Sequence, residues 1–311
     1  MQNILVVGSL NADLVVRSPR FPQPGETISG GDLQVIPGGK GANQAVAAAI
    51  LGANVFMLGR VGSDNFGNFL LDSLKSNHVD TQFIQRDTSS TGTAIIVVDA
   101  NGQNSIVLSA GANGNVIPED VDLASFPAGG LLLLQLEIPM PTVLRAAQRA
   151  RESGIRIILN PAPAKPLLDE LITLVDFIIP NETELNQLTE FDINDIPSTE
   201  QAAQNLISRG AKHVIVTLGA RGALVITETE AFHIDTFKVE VVDTTAAGDA
   251  FIGGFASAVL QKMPLEEAVY YGCACGALAT TKFGAQPSLP TKDEVEGLMS
   301  LGGGAHSLPS V

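Results

Sequence analysis

The chain has 311 residues, 45% of them hydrophobic, enough for one large α/β domain or two modest ones. Its formal net charge of −15 works against nucleic acid and anionic membranes, whose phosphates need clustered cations. Aromatics make up 5% and Trp is absent, so nucleobase stacking platforms are disfavoured, although a local cluster of amides can still hold a small phosphorylated ligand.

The opening MQNILVVGSL has no basic leader and runs straight into a predicted strand at 4–8, so a secretory signal is not expected. No apolar run approaches the ~18 residues of a membrane helix. Residues 12–38 hold strand-like ADLVV and DLQVI around the turn FPQPGET. A helix is predicted over 41–52 (GANQAVAAAILG) and a strand over 55–59 (VFMLG). TGTAIIVVDANGQNSIVLSA at 91–110 reads as two strands joined across Asn101-Gly102. AIIVV is apolar at consecutive positions, so both of its faces want cover. These two stretches either form a small sheet standing off the main domain or extend the main sheet in antiparallel fashion.

Further along come strands at 131–137 (LLLLQLE), 155–160 (IRIILN), 176–180 (DFIIP) and 213–219 (HVIVTLG). Helices over 141–154 and 199–210 begin with Pro or Thr and end at Gly, as helix boundaries should. The alternation predicts βαβ units around a mostly parallel sheet, whose ligands collect at the carboxyl ends of the strands. Cys273 and Cys275 stand two apart in a helical segment and point apart, so buried reduced thiols of a cytoplasmic protein are expected. The four histidines touch no motif. The tail from Gly302 reads as flexible.

Three constellations carry chemistry. In VVDTTAAGDAF a β-branched run ends at Asp243, and a helix starts behind Ala246, Ala247 and Gly248 with Asp249 in its first turn. Free amides at a helix start attract an anion, and small side chains let it approach. A phosphoryl group in transit fits such a nest, and Asp249 could take the proton of an attacking hydroxyl. The plainer reading is an Asp cap on a tight turn. The second is PGGKGANQA, which is neither a Walker A loop nor a dinucleotide fingerprint. Lys40 and Asn43, with Asn11 and Asp13 after the first strand, suit the several hydroxyls of a sugar. In the third, PNETE, Asn181 and Glu184 stand three apart: they could hold a hydrated Mg²⁺, or form a helix capping box.

With these in place, the chain resembles the ribokinase family of PfkB-type carbohydrate kinases, from GSLNAD through GGKGANQAVAA, NPAPA, PNETE, TLGARG and DTTAAGDAF to KFGAQPS. The resemblance implies a three-layer α/β/α fold with a mostly parallel sheet, as one domain over 1–311, with a β-sheet lid from 12–38 and 90–112. It implies ATP-dependent phosphorylation of D-ribose at the 5-hydroxyl, with another small sugar or a nucleoside as the alternative acceptor and a non-catalytic sugar binder as the rival of another class. Asp249 would be the base, and the amides of Ala246, Ala247 and Gly248 the anion hole. Asn11, Asp13, Gly39, Lys40, Gly41, Ala42, Asn43 and Glu137 would contact the sugar. Asn181, Thr217, Leu218, Gly219, Ala220, Arg221, Gly222 and Gly248 would lie along ATP. Cys273 would stand beside the adenine, where relatives often carry His. Glu184 would approach Mg²⁺, while Asp243, Thr245, Ala279, Lys282, Gly284 and Ser288 resemble a K⁺ cage built mostly of main-chain carbonyls. Dimerisation through the lid is expected.

Overall fold

The structure is a computed structural model that describes residues 3–122, 126 and 130–301. At its centre β1 (Asn3–Val7) pairs in parallel with β4 (Asn54–Gly62) on one side and β8 (Gly130–Leu134) on the other. Parallel pairing continues from β4 to β5 (Val79–Asp87), and from β8 through β9 (Arg156–Leu159) and β10 (Phe177–Ile178) to β11 (His213–Thr217). Beyond β11 the edge turns antiparallel with β12 (Ala223–Thr227) and β13 (Ala231–Ile234).

Strands of this kind are buried on both faces, so they read as unbroken apolar runs. Ile4, Val6, Leu131 and Leu133 enter one core, and Leu5, Val7, Leu132 and Leu134 the other. The first core is closed by α1 (Lys40–Ile50), α2 (Asn65–Ser76), α7 (Ala247–Leu260), α8 (Leu265–Ala279) and α9 (Lys292–Leu301). The second is closed by α3 (Met140–Glu152), α4 (Asp169–Leu174), α5 (Glu182–Thr189) and α6 (Ile196–Ser208). The result is the three-layer α/β/α architecture. A Cβ built on Gly253 would stand 2.4 Å from Ala47 Cβ, and one on Gly254 2.5 Å from Cys275 Sγ. Glycine therefore lets α7 press against α1 and α8, which draws the N-terminal ends of α1 and α7 to one corner.

A separate four-stranded sheet runs β3-β2-β6-β7, from β2 (Asn11–Arg17), β3 (Gln34–Gly38), β6 (Gly92–Val98) and β7 (Asn104–Ser109). The antiparallel extension of the main sheet is therefore not what forms. The β6–β7 turn differs from a two-residue hairpin: Asp99 N donates to Gln103 O at 2.9 Å, and Gly102 alone is left-handed, at φ 78°. That is a three-residue loop with glycine at its last position. Residue Ile95 on β6 is 50% exposed and every residue of β7 is exposed, so the cover that AIIVV wants is missing on this side.

Boundaries moved where capping chemistry outweighs pattern. The 131–137 strand stops at Leu134, which frees Gln135 and Glu137 to face the site. Helix α6 starts at Ile196 rather than Thr199, because the Asp195 side chain accepts from Ser198 N and Pro197 stands in the first turn. Thr199, fully buried, donates its hydroxyl to Asp195 O at 2.7 Å. Cys273 and Cys275 are buried free thiols, and burial pushes the Cys273 thiol up to about 12. Among the histidines, His213 stacks on Phe177 with ring centroids 4.8 Å apart, and His233 bonds Arg221 O at 2.6 Å. His306 and the tail from Gly302 lie outside the described residues.

Candidate active site

The corner begins where β1 ends. A Cβ on Gly39 would stand 2.7 Å from Asn11 N, and one on Gly41 2.6 Å from Ser9 N, so the two glycines let α1 start against the backbone of residues 8–11. Gly39, at φ 90°, also needs the conformation glycine allows. The amides at this entry are committed within the chain. Gly41 N donates to Ser9 Oγ at 3.3 Å, Ala42 N to Ser9 O at 3.0 Å and Lys40 N to Glu137 Oε2 at 3.1 Å. Gly41 and Ala42 thus fix the turn and keep no free amide for a ligand. The same Glu137 oxygen accepts from Ser9 Oγ at 2.5 Å. Asn113, which carried no sequence signal, clamps Leu10 N at 2.9 Å, Leu10 O at 3.0 Å and Asn11 Oδ1 at 2.7 Å.

Asp249, 7% exposed, sits in the first turn of α7. Its Oδ2 accepts from Asn43 Nδ2 at 3.0 Å and its Oδ1 from Gln44 Nε2 at 3.0 Å, both from α1. The turn ahead of it depends on Ala246, left-handed at φ 58°, a conformation that non-glycine residues adopt at some cost. One detail differs from the expected anion hole. Ala247 N reaches back to Thr244 O at 3.3 Å, whereas the amides of Ala246, Gly248 and Asp249 have no protein acceptor among the described residues. Asp249 therefore supplies an amide as well as its carboxylate.

Around Asp249 the charges are coupled. Burial pushes the Asp13 carboxyl up to about 7, helped by the negative charges of Glu137 and Asp249. It lies against Gly38, where a Cβ would stand 2.1 Å from Asp13 Oδ2. Burial alone would lower the Lys40 ammonium, but Asp249, Glu137 and Glu184 outweigh it and hold it above its usual value. Burial raises Glu184 against the opposing pull of the Asn181 amide and Lys40, with Asp249 adding to the rise. Asn43 Oδ1 is buried without a hydrogen-bond partner among the described residues.

On the other side of α7 a cleft of about 610 Å³ runs along the ends of β11 and α8. That is ordinary for a small-molecule site. Asn181, Thr217, Leu218, Gly219, Ala220 and Gly222 line it, as do Gly248 and Cys273. Thr217 N donates to Pro180 O at 3.0 Å, which joins the PNETE and TLGARG segments at the cleft mouth. Arg221 is not in its lining; its guanidinium pairs with Glu182. Both readings of PNETE meet here: Glu184 Oε2 accepts from Asn181 N at 2.9 Å and Asn181 Oδ1 from Glu184 N at 2.8 Å, a capping box that leaves Glu184 Oε1 over. Phe237, Val239 and Ala277 form the opposite wall, and none of them stands in a recognisable motif.

The 243–245 and 280–288 loops meet behind the nest. Asp243 Oδ1 accepts from Thr245 N at 2.9 Å and Oγ1 at 2.7 Å, and its Oδ2 from Gly284 N at 3.0 Å. Burial would raise Asp243, but these bonds from Gly284 and Thr245 and the charge of Arg17 outweigh it and lower it. The carbonyls of Thr245, Ala279, Lys282 and Gly284 accept no hydrogen bond among the described residues. Ser288 Oγ donates to Ala285 O at 2.8 Å, and Lys282 Nζ turns away to Glu294 Oε1 at 2.7 Å. Spare oxygens with no ammonium among them fit a monovalent cation. Among the described residues no three His, Cys, Asp or Glu side chains gather to hold a metal by themselves.

A doubly held buried carboxylate beside free helix amides, between a polar corner and a cleft of small-molecule size, suits a kinase of small hydroxylated molecules. The chain belongs to the pfkB family of carbohydrate kinases, whose model matches residues 1–292. The ribokinase of Haemophilus influenzae is 43% identical over 296 residues, covering 94% of this chain and 97% of that protein. The deoxyribokinase of Salmonella typhi is 39% identical over 303 residues, covering 96% and 99%. The ribokinase of Arabidopsis thaliana, solved in complex with ribose and ATP, is similar with a TM-score of 0.88 at 32% identity, covering 96% of this chain and 99% of that one.

Proposed function

We propose that this protein transfers the γ-phosphoryl group of ATP to the 5-hydroxyl of D-ribose, giving ribose 5-phosphate and ADP. The observation that carries the reading is Asp249: a buried carboxylate held by Asn43 and Gln44, in the helix turn that also offers free amides. The sugar lies among Asn11, Asp13, Gly39, Lys40, Asn43 and Glu137. Asp13 and Glu137 accept from its hydroxyls, Lys40 donates, and the unpartnered Asn43 Oδ1 gains a donor. ATP lies in the cleft along Thr217 to Gly222, with its adenine near the neutral Cys273 thiol.

Asp249 takes the proton of the attacking hydroxyl as the new O–P bond forms in line and the bond to the leaving ADP oxygen breaks. The amides of Ala246, Gly248 and Asp249 hold the developing phosphoryl charge without reorganisation. Mg²⁺ held through water at Glu184 would supply further neutralisation of the phosphates. A K⁺ ion at the Asp243–Ser288 loops would steady the turn that presents those amides. The small sheet acts as a lid whose closure excludes water, the competing acceptor. Its exposed Ile95, Ile106, Val107 and Leu108 fit a second copy of this chain, so the enzyme is a homodimer; light scattering that finds monomer alone at micromolar concentration would count against this.

Ribose and deoxyribose differ by one hydroxyl, and a site built to bond that hydroxyl rejects the analogue lacking it. The test is ADP release with ATP, Mg²⁺ and K⁺ across a panel of ribose, deoxyribose, fructose and nucleosides. The highest kcat/KM is expected for ribose. A higher value for deoxyribose would move the assignment to that sugar, and no sugar-dependent turnover would favour a non-catalytic binder.

A further inference from the structure

Behind Asp249 lies a chain of buried amides to which the phosphoryl chemistry above assigns no part. Gln44 is fully buried and engages every polar group it has. Its Nε2 donates to Asp249 Oδ1 at 3.0 Å and to Asn160 Oδ1 at 3.2 Å, while its Oε1 accepts from Gln135 Nε2 at 2.6 Å. Each neighbour dictates which way round this amide stands. Asn160 Nδ2 is spent on Ile179 O at 2.9 Å, so Asn160 can offer Gln44 only its oxygen. A flipped Gln44 would face two oxygens with a third and lose the Gln135 bond. The neighbouring Asn43 is different: one of its acceptors is free, as a group that meets a ligand needs, whereas Gln44 faces protein alone.

We propose that Gln44, locked in place by Gln135 and Asn160, is the positioning residue of the base: it sets the rotation of the Asp249 carboxylate. This rests on the kinase reading above and deepens it. A hydrogen bond donated to a carboxylate is charge-assisted and fixes its orientation, and in a buried network the effect is strengthened. Misplacement of a reacting group by a fraction of its contact distance is enough to cost rate.

Two variants test it, each read as kcat against ribose KM. Gln44→Met keeps the length and removes both donors. Its kcat is expected to fall about 10- to 100-fold with ribose KM changing less. The charged groups facing Asp249, Lys40 on α1, Asp13 on β2 and Glu184 on α5, are all intact in the variant. Gln135→Met removes the lock alone: an Oε1 that is buried without a partner goes, while Gln44 Oε1 loses its donor, so the number of orphaned buried acceptors is unchanged. It should show a smaller loss of kcat, again with ribose KM changing less. If Gln44→Met does not fold by circular dichroism, Gln135→Met decides: wild-type kcat and KM overturn the proposal, and a reduced kcat with ribose KM little changed supports it. Wild-type kcat and KM in both folded variants overturn the positioning role while leaving the kinase reading in place. A wild-type protein without sugar-dependent ADP release overturns both.

Discussion

The corner around Asp249 and the cleft along β11 and α8 share a helix turn yet are built from different material. In the corner many polar side chains are wired to one another: Glu137 to Ser9, Asp249 to Asn43 and Gln44, Asn11 to Asn113. Its glycines are pressed against backbone. In the cleft the walls are Leu218, Phe237, Phe251 and Ala277, and a Cβ on Gly248 would meet nothing within 4 Å. The corner is thus organised by side chains that can discriminate among hydroxyls. The cleft is organised by apolar surface and main-chain amides, which suit a phosphate without naming what carries it.

The largest break in this comparison is at the junction. Asp249→Asn should lower kcat by roughly 10²–10⁴-fold with ribose affinity less affected, measured by steady-state kinetics and sugar titration. Near wild-type turnover would remove Asp249 from the chemistry. Next is Asp13, which marks how far the corner trades stability for its charges. Its carboxyl rises from 3.8 to about 7 on folding, so between those values the folded state binds more protons than the unfolded chain. Stability from this group is therefore full below about pH 4 and lost as pH rises through 7, at roughly 1.4 kcal/mol for each pH unit crossed. Asp13→Asn should match the wild type near pH 4 and melt several degrees above it at pH 8. Parallel curves for the two proteins would mean that Asp13 carries no such burden.

The glycines sharpen the contrast directly. Gly41→Ala forces a methyl to within 2.6 Å of Ser9 N and should cost about 1–3 kcal/mol in denaturant unfolding. Gly248→Ala has room in the folded protein, so its stability should hold or rise slightly, as alanine favours a helix. Its methyl would instead crowd the incoming phosphate, raising KM for ATP or lowering kcat. Equal stability losses in the two variants would erase the distinction between corner and cleft.

The same contrast explains what was legible in the sequence. The corner residues are polar or charged and stand in short motifs, so Asn11, Asp13, Lys40, Asn43 and Asp249 could be picked out, and the fold brings them together. Their supports could not: Gln44 and Gln135 look like ordinary polars until the sheet brings α1 and the end of β8 side by side. Phe237, Val239 and Ala277 have no signature at all, because an apolar wall is recognisable only by what it faces. The small sheet was half legible. Its strands follow from alternation and turns, but the β2–β6 pairing joins residues about 80 positions apart and nothing local encodes it. The capping box at Asn181 and Glu184 shows the opposite limit, where one spacing serves a local and a functional reading together.

The smallest expected effect concerns the loops that back the cleft. If a monovalent cation is bound by spare carbonyls at residues 243–288, replacing K⁺ by Na⁺ should slow turnover, since a smaller ion is poorly served by a ring of oxygens spaced for a larger one. The charge of Lys282 plays no part, because its ammonium is held by Glu294 on α9. Lys282→Met should therefore keep the K⁺ response, losing at most the roughly 0–1 kcal/mol of an exposed ion pair. Thr245→Val removes the hydroxyl that donates to Asp243 Oδ1, and so loosens the carboxylate that ties the two loops together through Gly284. It should weaken the K⁺ response without touching the corner, leaving the sugar affinity as in the wild type. Indifference of the wild-type rate to the cation would leave the loops as a structural clasp, and the amides of α7 would then owe their alignment to Ala246 and Asp243 alone.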